Sequence, residues 1–266
     1  MDVVRLKLTV AYDGRGYEGW QCQRAGRSVQ QQVELALAKV LGGGPHRLHS
    51  SSRTDAGVHA LGMVAHVDVP RARWRMTPAK LRLAVNAHLP EDVRVMEARR
   101  AAAAFHARFQ ATGKRYLYTV WNHPAMNPLL RGRAWHVPSA LDLAAMKQAA
   151  RLFVGRHDFR SFAANRGQAL QNAVRNLWRC DLTRRGPELR FVLEGDGFLY
   201  KMCRAIVGTV VQVGRGRFAV ADVSAMLAAE DRRVAGMTAP AEGLLLAKVF
   251  YGRRAGSAGE TQRAPG

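Results

Sequence analysis

The stretch Ser51-Ser52-Arg53-Thr54-Asp55-Ala56-Gly57-Val58-His59-Ala60 sets one carboxylate into a chain whose charges are mostly positive. Taken alone, it is ordinary turn chemistry. An aspartate two residues ahead of a glycine accepts backbone N–H bonds, and the adjacent Arg53 pairs with it at the surface. Upstream, Val33, Leu37, Val40 and Leu41 keep helical spacing over Val29–Leu41, with Ser28 as the cap and Gly42-Gly43-Gly44-Pro45 as the stop. Further back, Leu6, Leu8 and Val10 alternate with Lys7 and Thr9, a half-buried strand closed by the turn Asp13–Gly16. Downstream, Gly62–Val69 alternates as a strand and Pro78–Leu89 has the pattern of a helix.

Residues 100–112 link this set to a second one that opens with the strand Arg115–Val120. Leu141–Phe153 follows as a helix, then strands over Leu177–Thr183 and Leu189–Leu193 joined by the Arg185-Gly186-Pro187 turn. Leu199–Val213 is predicted helical. Met202, Ile206, Val210 and Val213 form its apolar stripe, and Arg204 lies off it. A helix over Ala221–Ala229 and a strand over Leu244–Tyr251 complete the set, and residues 253–266 lack the apolar content to order themselves. The two sets predict an α+β protein of two similar lobes, 1–104 and 105–252, with a disordered tail over 253–266. No close internal repeat accompanies that division.

The 266 residues hold 41 Lys and Arg against 20 Asp and Glu, a net charge of +21. Such an excess attracts polyanions and predicts nucleic acid as the partner, bound in a salt-sensitive way. An anionic membrane surface fits less well, since no basic amphipathic helix with a bulky apolar face is present. Asp2, Arg5 and Lys7 interrupt the place a signal peptide would need apolar, and no apolar run approaches the ~18 residues of a membrane span. The expectation is a soluble protein. Cys22, Cys180 and Cys203 are odd in number and far apart, which predicts free thiols in a reducing cytoplasm.

Several chemistries lack their residues. No G-x-x-x-x-G-K-[ST] loop and no G-x-G-x-x-G after a strand is present, so neither nucleotide hydrolysis nor dinucleotide redox is supported. His46 with His49, or His59 with His66, has no cysteine nearby at a zinc-finger spacing, and no metal is expected. No cysteine is set beside a histidine as a nucleophile would need.

SSRTDAGVHA resembles the catalytic motif of the tRNA pseudouridine synthase A family, which usually carries glycine before RTDAGVHA. The resemblance runs in order along the chain: AYDGRGYEGWQCQ at 11–23, SVQQQVE at 28–34, VNAHLP at 85–90, FHARFQATGKRYLY at 105–118, HDFRSF at 157–162, GFLYKMCRAIVG at 197–208 and AEGLLL at 241–246. It departs at Ser52, where the family has glycine, and at Lys201 and Cys203, where His and Val are common.

The resemblance implies the pseudouridine synthase fold, with antiparallel sheets flanked by helices around a basic central cleft. It implies an isomerase that converts uridines 38, 39 and 40 of the tRNA anticodon stem-loop to pseudouridine, with tRNA as partner, as a homodimer in the cytoplasm and without a cofactor. The N1–C1′ bond breaks, the uracil turns, and C5 joins C1′; nothing is oxidised or hydrolysed. Asp55 falls where the family has its essential aspartate and is expected to act as nucleophile; attack at C1′, attack at C6 and action as a base stay open. Arg204 matches an arginine that faces the aspartate, and a nearby guanidinium favours a charged carboxylate. Tyr116 matches the family's active-site tyrosine, able to stack on the uracil and to move the C5 proton. Arg53 is expected to meet phosphate or help flip the nucleotide, with Thr54 and Leu199 also assigned to substrate binding. The alternatives are an RNA-binding protein without turnover and a hydrolytic glycosidase. The latter wants two carboxylates, and Asp13, Asp158 and Asp196 sit in turn-like segments without a partner.

Overall fold

The computed structural model describes residues 2–23, 26–42, 44–164 and 171–252. Strand β1 (Val3–Tyr12) turns Val4, Leu6, Leu8, Val10 and Tyr12 to the core, every second residue as a pleated strand requires. Helix α1 (Val29–Leu41) starts where the Ser28 hydroxyl accepts the N–H of Gln31 and ends at Gly42, whose φ of 70° suits a residue without a side chain. After β2 (His49–Ser50) and β3 (His59–Pro70), helix α2 (Pro78–His88) has proline in its first turn and Thr77 accepting from Lys80. The chain continues through β4 (Val93–Arg100), β5 (Ala111–Trp121), β6 (Trp135–His136), α3 (Leu143–Leu152) and β7 (Gly155–Asp158). It ends with β8 (Val174–Arg185), β9 (Glu188–Gly195), α4 (Met202–Gly214), α5 (Asp222–Ala229) and β10 (Leu244–Tyr251).

The strands form one ten-stranded sheet in the order β4-β1-β3-β10-β5-β9-β8-β7, with β2 on β3 and β6 on β5. Pairing is antiparallel except β3 with β10 and β5 with β6. The last strand in sequence therefore lies in the middle of the sheet. It joins β3 on one flank to β5 on the other. Helix α4 is buried on nearly every side and packs on α3, which explains why it is apolar beyond a single stripe. Phe153, Phe159 and Phe162 close the core nearby with edge-to-face contacts.

Among the strands that went unexpected are β4 and β7, the two edges of the sheet. An edge strand is protected by charge, and β4 carries Arg94, Glu97, Arg99 and Arg100 where alternation would have revealed it. Helix α4 starts at Met202, later than the expected Leu199, because Lys201 sits in the left-handed region at φ 60° and the helix cannot extend back through it. The tail expected over 253–266 lies outside the described residues. Among the described residues no helix is long and apolar enough to cross a membrane.

Candidate active site

Strand β10 brings the candidate residues together. Leu246 is the register partner of Ala60 in β3 and of Tyr116 in β5, so those two residues face each other across one strand. With neighbouring strands ~4.8 Å apart, their backbones lie on the order of 10 Å from each other. The loop carrying Asp55 enters β3 just before that point.

That loop is fixed from several sides. Gly57, at φ 77°, donates its N–H to the Tyr17 carbonyl (3.3 Å), and Val58 donates to the Asp55 carbonyl (3.2 Å). Thr54 is buried: its hydroxyl bonds the Tyr12 hydroxyl at 2.8 Å and its carbonyl accepts from Trp20 at 3.1 Å. Gly19 presses on the same carbonyl, and a Cβ there would stand 2.5 Å from the Thr54 oxygen. His59 ties in segments from both ends of the chain. Its Nδ1 accepts from the Gly14 N–H (3.1 Å), which leaves Nε2–H to donate to Gly132 and Glu242 carbonyls at 3.0 and 3.1 Å.

Arg204 stands in the first turn of α4. Its Nη1 donates to Asp55 Oδ2 at 3.2 Å and its Nε to the Ala239 carbonyl at 2.7 Å, so the guanidinium is held at two points. The two side chains are 14% and 18% exposed, well short of a solvated surface pair, and water screens their attraction less. Asp55 therefore pairs with a residue 149 positions away and not with its neighbour Arg53, which is exposed and forms no salt bridge among the described residues.

Tyr116 projects from β5 beside this pair. Its ring is buried and meets Phe198 edge-on at 5.0 Å, while its hydroxyl and that of Ser52 lie 3.2 Å apart. Burial, with Cys203 and Asp55 nearby, pushes the phenol far above its ordinary range. It remains protonated at neutral pH, a hydrogen-bonding group and not a phenolate.

These residues open on a cavity of about 1190 Å³ lined by Arg53, Thr54, Asp55, Tyr116 and Leu199 among others. The described lining holds the cations Arg47, Arg53, Arg108, Lys114, Arg175 and Lys201 against Asp55 and Asp196. Leu199 lies in the loop between β9 and α4, half-buried. Sequence reasoning did not single out Phe198, Lys114 or Phe109. Lys114 was the one with a local signal, since strand alternation puts it on the same face of β5 as Tyr116. Ser52 was noted only as a departure, and its contact with Tyr116 crosses 64 residues. No group of three or more His, Cys, Asp and Glu placed to hold a metal ion occurs among the described residues. Cys22 is exposed, and Cys180 and Cys203 are buried free thiols.

A family model described as tRNA pseudouridine synthase matches residues 8–110 and 149–252. The chain belongs to the tRNA pseudouridine synthase family. It is 49% identical over 251 residues to the tRNA pseudouridine synthase A of Syntrophotalea carbinolica, covering 94% of this chain and 97% of that one. It is 48% identical over 257 residues to that of Solidesulfovibrio magneticus (94% and 92%), and 44% over 248 to that of Geobacillus kaustophilus (93% and 94%). Pseudouridine synthases are isomerases, so the enzyme class follows from the family.

Proposed function

We propose that the protein isomerises uridines 38, 39 and 40 in the anticodon stem-loop of tRNA to pseudouridine, with Asp55 as the nucleophile. The observation that carries this reading is the Arg204–Asp55 pair, 3.2 Å apart and mostly out of solvent, at a cavity rich in cations. Held by the Ala239 carbonyl, Arg204 bonds the carboxylate and holds it at the cavity that Asp55 lines. The carboxylate adds to the nucleoside, the N1–C1′ bond breaks, and the uracil turns to present C5. The C5–C1′ bond then forms, C5 loses its proton, N1 gains one, and Asp55 is released. Tyr116 stacks on the base and relays the C5 proton as a protonated phenol. Arg53 meets phosphate or fills the place of the flipped nucleotide, and Thr54 and Leu199 form part of the wall around it.

In this reading residues 1–104 and 105–252 act as two lobes around a basic cleft, and β10 is the seam between them. The protein works in the cytoplasm as a homodimer. Names of relatives matched along nearly the whole chain support tRNA as the substrate. The test is tritium release from tRNA labelled with [5-³H]uridine, by wild type and by Asp55→Asn. Release that requires Asp55, without free uracil, is expected. Tight tRNA binding with no release would leave an RNA-binding protein, and free uracil would mean a glycosidase.

A further inference from the structure

Phe109 is 76% exposed, and the turn that presents it is held unusually firmly. The Nδ1 of His106 accepts from the N–H groups of Arg108 and Phe109 at 3.1 and 3.3 Å. Ala107, fully buried, donates to His66 Nδ1 (3.2 Å), and its carbonyl accepts from the Tyr251 hydroxyl (2.7 Å). The Phe109 ring lies against the His106 ring, centroids 4.2 Å apart and planes within 29°, so His106 backs one face of a phenyl that is otherwise largely exposed. An isolated exposed apolar residue needs no explanation. This one is a rigid aromatic plate on the wall of the catalytic cavity, with the Arg108 guanidinium 5.8 Å from its ring centre.

Lys114 lines the same wall. Its ammonium makes no hydrogen bond to any described residue, and burial, aided by Arg108 and Arg175 and opposed by Cys203, pushes its pKa down to about 8. The β4–β5 turn, β8 and α4 contribute those three neighbours, and none supplies a carboxylate. The Lys114 ammonium forms no salt bridge among the described residues.

We propose that this wall is a second nucleotide subsite, in which a base beside the target uridine stacks on Phe109 while Lys114 and Arg108 hold the adjoining phosphate. Aromatic plates and lysine or arginine side chains are the standard means of gripping unpaired nucleotides. The inference rests on the proposed function, since it needs tRNA in the cavity.

The experiment measures equilibrium binding of an unmodified tRNA transcript in the Asp55→Asn background, over a range of salt. Phe109→Ala is expected to weaken binding about tenfold with an unchanged salt slope, and Phe109→Trp to restore it. Leu129→Ala, which removes a more exposed apolar side chain outside the cavity lining, serves as the control and should change nothing. Lys114→Met should lower the salt slope by about 0.7–0.9, one phosphate contact, and Lys114→Arg should retain it. Equal binding by wild type and Phe109→Ala overturns the subsite. So does a Phe109→Ala protein whose sedimentation shows an altered subunit number, because the ring then faces a second copy of the chain. Absence of any tRNA binding by the parent overturns the proposed function itself, and the subsite with it.

Discussion

Arg204 illustrates how much one side chain can organise. It bonds the Ala239 carbonyl and the Asp55 carboxylate from different nitrogens of a planar group, which a lysine's single ammonium cannot reproduce in the same place. Arg204→Lys should therefore lower kcat about a hundredfold while the KM for tRNA changes less than threefold, measured by tritium release. Ser52 and Tyr116 should behave as a coupled pair. In a double-mutant cycle, Ser52→Ala and Tyr116→Phe should show a coupling of about 1 kcal/mol in thermal stability, the size of one net hydrogen bond. Gly19 is a harsher case, since at φ 102° a Cβ would stand 2.5 Å from the Thr54 carbonyl. Gly19→Ala should cost at least about 2 kcal/mol in urea unfolding and displace the loop that bears Asp55.

At the scale of elements, α4 and the segment after α5 act as one unit. Gly208 lies so close to this segment that a Cβ would meet the Met237 carbonyl at 1.8 Å, and the same segment supplies the Ala239 carbonyl that anchors Arg204. Gly208→Ala should lose both melting temperature and activity, whereas alanine at Gly216, which has open space but a φ of 70°, should lose only a little stability and leave kcat unchanged. The helices α1 and α2 were legible because caps, prolines and 3.6-residue spacing are local signals. The edge strands β4 and β7 were not, because their polar faces look like loop sequence until the neighbouring strand is known. The start of α4 escaped for a related reason: nothing in the residue type of Lys201 announces a left-handed backbone.

For the whole molecule, the net charge of +21 and a cavity lined by six cations predict tRNA affinity that falls steeply and linearly in log–log plots against salt. Acid sensitivity should come from His66, which burial, then His106 and His49, pull down to about 4 from an ordinary 6.5. The folded protein keeps this ring neutral, so the unfolded chain takes up the proton first. Stability should be unaffected above about pH 6.5 and should fall as pH drops from there toward 4; His66→Gln should flatten that slope in denaturant titrations. Family membership and the basic character were open to reading from sequence, because they reside in residue type and order. The partner of Asp55 was named through resemblance, but its neighbour Arg53 was an equally local option, and only folding decided between them. Likewise, no local pattern puts the last strand between β3 and β5. That insertion sets Ala60 and Tyr116 opposite one residue of β10, and long-range pairing of this kind depends on backbone hydrogen bonds and core packing that the whole chain supplies at once.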